Sequence, residues 1–245
     1  MKFIKSNKYN KKFVDENLMG PNSMKMLEEL LQSVKFEKGM RVLDLGCGKG
    51  LTSILLAKEF GVQVFATDLW ISATKNYETF ESMGLKNQII PIHSDARDLP
   101  YADEYFDAIV SIDSYYYFGT EPDYMDKLAP LVKKGGTIAL AFPGVKKELN
   151  GVLPDEMMLS WAEVKDEILK TFHSIPWWKE LLEKSKEIEI KSIQEMQCND
   201  EAWQDWLYSD NEYTKNVIND RLSMEAGAGK YMNLIAIIAE RKQNV

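Results

Sequence analysis

Residues 42–50 read VLDLGCGKG, and LTSILLAK follows at 51–58. Val42, Leu43 and Leu45 are an apolar strand signal with Asp44 inside it. Gly46, Gly48 and Gly50 then alternate, and the next segment has the spacing of a helix with one buried face. The order is strand, glycine turn, helix. Alternating glycines supply positive φ and let a ligand approach the backbone closely. The N–H groups at the helix start favour a carboxylate or phosphate lying on the turn. A dinucleotide site of this kind requires G-x-G-x-x-G, the third glycine packing helix on strand. Counted from Gly46, that third position is Leu51, and the spacing here is G-x-G-x-G behind Asp44.

The same alternation continues on both sides of this unit. Met24, Leu27, Leu30, Leu31 and Val34 recur at helical spacing, with Ser23 as the expected cap. Val62 to Thr67 reads as a second strand ending at Asp68, followed by a helix over about 71–83 that Gly84 closes. Gln88 to Ile92 is a third strand, then Ser94-Asp95-Ala96, with Leu99-Pro100 closing the loop. Phe106 to Ile112 is nearly all apolar, as a strand buried on both faces should be. A helix over about 122–132 leads to Gly135-Gly136, a hairpin-like turn into a fifth strand, Thr137 to Phe142. Five strands alternating with helices predict a parallel, doubly wound sheet.

After Pro143 the period is lost. A helix is expected near 160–172, a break at Pro176, and a helix from Trp177 to Lys186. Residues 187–193 alternate as strand six, and Tyr231 to Glu240 reads as strand seven. Between them 199–226 is helical and acidic, with seven acids against Lys215 and Arg221. The expectation is one α/β domain over 1–245, with a doubly wound, seven-stranded, mostly parallel sheet. It divides into an N-terminal helical lead-in at 1–40, a core at 41–142 and a helical insertion at 143–186. Strands six and seven then occupy 187–245, with a second helical insertion at 199–226.

Composition narrows the partners. The net charge of −8 opposes nucleic-acid phosphate unless a basic face is concentrated somewhere. The only basic cluster is Lys2, Lys5, Lys8, Lys11 and Lys12, which reads as a solvated tail or a contact for an anionic surface. The chain starts without an apolar signal core, and its longest apolar run, Met232 to Ala239, is too short to span a bilayer. Cys47 sits in the glycine turn, which argues against a structural disulfide, and Cys47 and Cys198, far apart, make no metal framework; a reducing cytoplasm is expected.

The run at 42–50 resembles motif I of the class I S-adenosylmethionine-dependent methyltransferases. The resemblance covers about 40–142 well. It extends to Asp68 ending strand two, Asp95-Ala96 after strand three, and Leu99-Pro100-Tyr101. Tyr105 to Ser111 and Lys134-Gly135-Gly136 continue it. It implies S-adenosylmethionine as cofactor, bound by Asp44, Gly46, Cys47, Gly48, Gly50, Asp68, Leu69, Trp70, Asp95, Ala96, Arg97 and Ile112. It also implies that the lead-in at 1–40 is a lid, the core at 41–142 the cofactor-binding part and the insertion at 143–186 the acceptor side. The amides near Gly46 and Gly48 suit the amino-acid carboxylate, and Asp44 attracts the ammonium. Asp68, 20 residues beyond Gly48, is placed for the ribose hydroxyls. Leu69 or Trp70 covers the adenine, Asp95 and Ala96 meet its polar edge, and Ile112 lines the wall near the sulfonium.

Methyl transfer is an in-line displacement, so positioning the acceptor supplies much of the catalysis. Candidates at the correct strand end are Asp113 and the tyrosines 115–117, of which Asp113 and Tyr116 are the first choices. His173, in the first insertion near Trp177 and Trp178, is a third. His93 reads as structural. Asp113-Ser114-Tyr115-Tyr116 lacks the paired prolines found after strand four in enzymes that methylate amino groups of bases or glutamine. The acceptor is then a small molecule or a lipid-like one. Two other readings stay open: a nicotinamide-dependent oxidoreductase, and a non-catalytic S-adenosylmethionine-binding protein. Trp161, Phe172, Trp177 and Trp178 are expected to wall the acceptor pocket, with residues 1–21 closing the other side. Trp203, Trp206 and Tyr208 read either as part of that lid or as a homodimer contact.

Overall fold

The computed structural model describes residues 3–211, 213–214 and 220–243. Seven strands form one sheet: β1 (Arg41–Leu45), β2 (Gln63–Asp68), β3 (Ile89–His93), β4 (Phe106–Ile112), β5 (Val132–Val145), β6 (Ile188–Glu195) and β7 (Met232–Arg241). Their order is β3-β2-β1-β4-β5-β7-β6. The first five strands pair in parallel, and β7 runs antiparallel between β5 and β6. The expected doubly wound, mostly parallel sheet is therefore what the chain builds. Central strands are buried along their length, which is why β4 reads as FDAIVSI and β1 as RVLDL.

The helices α1 (Lys11–Asn17), α2 (Ser23–Leu30), α3 (Leu51–Leu55), α4 (Ala73–Ser82) and α5 (Tyr124–Leu128) belong to the lead-in and the core. The first insertion holds α6 (Asp155–Trp161), α7 (Lys165–Thr171) and α8 (Ile175–Glu183). The second holds α9 (Asn199–Leu207) and α10 (Asp220–Glu225); the middle of the expected 199–226 helix, including Lys215, lies outside the described residues. Because β5 and β6 run parallel to each other, both insertions leave the sheet at the same edge, the C-terminal end of β1, β2 and β4.

Four local expectations are corrected. Asn22, not Ser23, caps α2, its side chain accepting from the Met24 and Lys25 N–H groups. Gly135 does not turn the chain: β5 runs through it at φ 75° as an irregularity, and Gly136 lies so close to the Asp107 carbonyl that a Cβ would meet it at 2.6 Å. Pro176 does not break a helix but sits in the first turn of α8, where a missing N–H costs nothing. Residues 3–21 are not a solvated tail, since Phe3, Val14 and Leu18 are buried. Glu28 accepts from the Lys5 N–H at 2.9 Å and the Ser6 N–H at 2.7 Å, which fixes the start of the chain on α2. Asn211 Nδ2 donates to the carbonyls of Asp15 (2.6 Å) and Leu18 (2.9 Å), and the Asn22 side chain donates to Asp205 at 2.7 Å. The lead-in is thereby clamped to the second insertion. Among the described residues no helix is long and apolar enough to cross a membrane.

Candidate functional site

At the C-terminal end of β1 the chain turns through Gly46, Gly48 and Gly50 at φ 75°, 53° and 85°. The three glycines serve different neighbours. A Cβ on Gly46 would meet Ser114 Oγ at 2.3 Å, and one on Gly50 would meet the Phe80 ring at 2.4 Å. Gly48 has Met19 Sδ at 3.0 Å from the same imaginary atom. Gly50 thus lets α4 pack beneath the turn, while Gly46 and Gly48 line a cavity of about 170 Å³.

The turn's amides are already used. Gly46 and Cys47 both donate to the Thr67 carbonyl, at 2.8 and 3.1 Å. The Gly48 N–H donates to Asp68 Oδ2 at 2.8 Å, while Asp68 Oδ1 accepts from Trp70 and Ile71 at 2.8 Å each. The expectation that the amides of Gly46 and Gly48 stand free for an anion is corrected: β2 satisfies them. Asp68 ties the turn to the next loop and presents its remaining acceptor capacity to the cavity.

Asp44 and Gly50 do not line the cavity. Asp44 lies behind the turn, fully buried. Its Oδ2 accepts from Thr52 and Ser53 at 2.6 Å each, and its Oδ1 has no partner. Burial pushes its carboxyl up to about 6 against the pull of the two hydroxyls. Leu69, Trp70, Asp95, Ala96, Arg97 and Ile112 line the cavity together with Gly46, Cys47, Gly48 and Asp68. Trp70 is 65% exposed at its mouth, its ring 5.1 Å from that of Tyr117. Asp95 Oδ1 accepts from the Arg97 N–H at 2.8 Å, and Tyr124 donates to the Ala96 carbonyl at 2.9 Å.

A second cavity of about 180 Å³ adjoins the first. Met19, Gly20, Pro21, Asp113, Tyr116 and Tyr117 line both. Asp113 adopts φ 57°, which an acidic residue tolerates better than most, and its N–H donates to the Ala141 carbonyl at 2.7 Å. This conformation turns the chain out of β4 between the two cavities. A Cβ on Gly20 would meet Asp113 Oδ2 at 2.0 Å, and Asp113 Oδ1 is buried without a partner. Burial first, then the charge of Asp220, raise the Asp113 carboxyl well above the usual range. Tyr116 is buried, its ring 5.3 Å from Phe172, and burial pushes its hydroxyl up as well.

The remaining walls of the second cavity come from the insertions: Trp161, Val164, Glu167, Ile168, Thr171 and Phe172 from the first, Trp203, Trp206, Tyr213 and Asp220 from the second. Asp220 accepts from the indole N–H groups of Trp161 (2.6 Å) and Trp206 (2.7 Å), which joins the two insertions across the cavity. Trp203 and Trp206 thus line the second cavity. Trp177 and Trp178 are not in the lining. Nor is His173: its Nδ1 is 2.9 Å from Glu148, its Nε2 3.0 Å from the Lys170 carbonyl, and its ring is stacked on Trp177. His173 holds α8 against the loop after β5 and reaches no cavity wall. Ser114 and Asp220 are lining residues to which the sequence assigned no role, whereas Met19 and Gly20 belong to the 1–21 stretch expected to close the other side. Gly20-Pro21 carried a turn signal, but nothing in the sequence placed it against Asp113.

Residues 42–136 match a family model described as a methyltransferase domain. The chain is 30% identical over 129 residues to methyltransferase GfsG of Streptomyces halstedii, covering 52% of this chain and 46% of that protein. It is 25% identical over 185 residues to the chloroplastic tocopherol O-methyltransferase of Arabidopsis thaliana, covering 72% of this chain and 52% of that protein. The chain spans about half the length of these two relatives. The solved geranyl diphosphate C-methyltransferase of Streptomyces coelicolor A3(2) shares the fold, with a TM-score of 0.67 and 13% identity over 88% of this chain and 76% of that one.

Proposed function

We propose that this chain, which belongs to the class I S-adenosylmethionine-dependent methyltransferase family, binds S-adenosylmethionine in the first cavity and transfers its methyl group to a small-molecule acceptor in the second. The junction carries the reading. Asp113, Tyr116, Tyr117 and Met19-Gly20-Pro21 face both cavities, so a group bound in one meets a group bound in the other there.

The residues present fit that cofactor. Asp44 Oδ1 is a buried acceptor without a donor behind the glycine turn, suited to draw the ammonium end. The side-chain-free edge at Gly46, Cys47 and Gly48 admits the amino-acid moiety closely. Asp68 would accept from the ribose hydroxyls, Leu69 and Trp70 would cover the adenine, and Asp95, Ala96 and Arg97 would meet its edge. Ile112 lines the wall near the sulfonium. Gly50 acts indirectly, by seating Phe80 under the turn. When bound, the cofactor supplies an electrophilic methyl group on sulfur.

The chain's own contribution is placement, exclusion of water and one proton acceptor. The aromatic walls of the insertions keep the acceptor dry, and the lead-in closes the remaining side. Asp113, held at the junction by its backbone, is positioned to take a proton from an acceptor that arrives protonated. Tyr116 faces the same point with its ring. His173 has no part in this scheme. The nicotinamide reading is disfavoured by Leu51, a buried wall residue where a dinucleotide turn carries glycine. A second cavity adjoining the first gives an acceptor a place beside the cofactor, which favours transfer over cofactor binding alone. Two free, buried cysteines agree with a reducing cytoplasm.

Calorimetric titration with S-adenosylmethionine and with NADH, followed by turnover of methyl-labelled cofactor on a pool of small metabolites, tests the proposal. Binding of NADH alone, or cofactor binding with no labelled product from any pool, would overturn it.

A further inference from the structure

We propose that the second cavity selects an aliphatic amine in its ammonium form, which makes the reaction an N-methylation. The inference rests on the methyltransferase reading above and adds the acceptor class to it. Three carboxylates line the cavity, those of Asp113, Glu167 and Asp220, and among the described lining residues there is no lysine, arginine or histidine. The rest of the wall is largely aromatic, with Trp161, Trp203 and Trp206 prominent. Carboxylates set among indole and phenol rings are the surroundings that stabilise an organic cation, through charge and through the ring faces. The same wall opposes an acceptor bearing a carboxylate or a phosphate, for which the described lining offers no cation.

The two inner carboxylates lack a counter-charge of their own. Asp220 is bonded to two indole N–H groups and, among the described residues, to no cation. Asp113 Oδ1 is buried with no partner at all. The charge of Asp220 disfavours the charged form of Asp113, an effect that a cation bound in the cavity they both line would offset. A metal ion is a poorer candidate, because no cluster of three His, Cys, Asp or Glu among the described residues is placed to hold one. Lys49 lines the first cavity and not the second; its Nζ donates to the Glu16 carbonyl at 2.8 Å and lies 5.1 Å from the Tyr213 ring centroid.

The chemistry balances with the groups present. The ammonium gives one proton to the Asp113 carboxylate, which frees the nitrogen lone pair. That pair forms the new N–CH3 bond as the bond from the methyl carbon to the sulfonium breaks, and the breaking pair stays on sulfur as a neutral thioether. The methylated nitrogen leaves with one positive charge, and the Asp113 proton returns to water. The acid's placement at the junction of the cavities is what lets one residue hold the cation and then take its proton.

The test uses two probes of equal shape and different charge, tert-butylammonium and tert-butanol, titrated calorimetrically into the full chain loaded with S-adenosylhomocysteine. The ammonium should bind at least tenfold tighter, and the preference should fall to within about twofold in Asp113→Asn. Asn accepts the positive φ at this position, so the variant should fold. Glu167→Gln, on the exposed face of α7, provides a second variant with an intermediate loss. Failure of S-adenosylhomocysteine itself to bind would defeat the methyltransferase reading. Normal loading with equal affinity for the two probes, or with no saturable binding of the ammonium, would overturn the amine assignment alone. So would labelled methyl groups recovered on butanol and not on butylamine.

Discussion

Asp44→Asn should make the ligand-free protein more stable at neutral pH and less stable in acid. In the folded chain the Asp44 carboxyl is pushed up to about 6, chiefly by burial. Unfolded, it titrates near ~3.9. The folded state therefore binds the proton more readily. The stability this group contributes is fully present below pH ~4 and is lost as pH rises through the folded value near 6. A shift of about two units corresponds to ~3 kcal/mol, all of it felt at pH 7.5 as a penalty. In the Asn variant the amide oxygen can keep the bonds from Thr52 and Ser53, and the amide nitrogen takes the place of the unpartnered Oδ1. An unsatisfied buried amide costs ~1–2 kcal/mol, so the net gain at pH 7.5 is ~1–2 kcal/mol. For a chain of this size that is a rise of about 2–6 °C in melting temperature. At pH 4 the penalty on the wild type has gone and the order should reverse. Calorimetric scans of the ligand-free proteins at half-unit steps from pH 4 to 7.5 give the difference directly, since other buried acids such as Asp113 and Asp220 cancel between the two. Parallel stability curves across that range would refute the reasoning.

Gly20→Ala requires no unusual backbone conformation, but its methyl group falls 2.0 Å from Asp113 Oδ2 and must displace it. Turnover should drop on the order of 100-fold while cofactor affinity stays within a few-fold, as read from single-turnover rates and calorimetry. Asp68→Asn sets an amide N–H against one of the three backbone N–H groups that the carboxylate now accepts from. It should cost ~1.5–3 kcal/mol of stability as well as cofactor affinity; a loss of binding with unchanged urea midpoint would show that the turn does not depend on it. His173→Leu removes the bond to Glu148 and part of the stack on Trp177. It should lower stability by ~1 kcal/mol and leave kcat/KM within about twofold, and a selective loss of kcat would restore His173 to the chemistry. S-adenosylhomocysteine should slow amide exchange in 18–22 more than in α4, whose outer face is remote from both cavities; uniform slowing would remove the lead-in from the lid.

What the sequence made legible was whatever depends on neighbours along the chain. The apolar run of β4, the glycine turn behind Asp44 and the acids ending β2 and β3 all report local conformation, and they appear where expected. Misreadings arose where a distant partner decides. The lead-in looked like a polar tail because its lysines dominate the composition, yet Glu28 and Asn211 hold its backbone in place. Ser23 and Asn22 are both able caps, and only the tertiary position of Asn22, bonded also to Asp205, selects it. Asp220 sits in a run of unremarkable acids, and its importance comes from indoles 59 and 14 residues away. His173 was attractive as one of two histidines near tryptophans. Those tryptophans face it for packing, with the Trp177 ring centroid 3.6 Å away.

Both insertions leave the sheet at one edge and build one wall, while the walls proposed to hold the cofactor come from loops of the parallel half and from the lead-in. This arrangement makes the two halves of the site heritable as separate parts. Segments 146–187 and 196–231 can be exchanged between relatives with the junctions left in β5, β6 and β7, and the glycine turn need not be disturbed. Two couplings set the condition for such a graft. The lead-in must travel with the second segment, because Asn22, Lys25 and the carbonyls of Asp15 and Leu18 are bonded to it. The two segments must also come from the same donor, because Asp220 of one is held by Trp161 of the other. On the proposed function, acceptor specificity would be inherited as a block of three pieces, discontinuous in sequence and recombined only together.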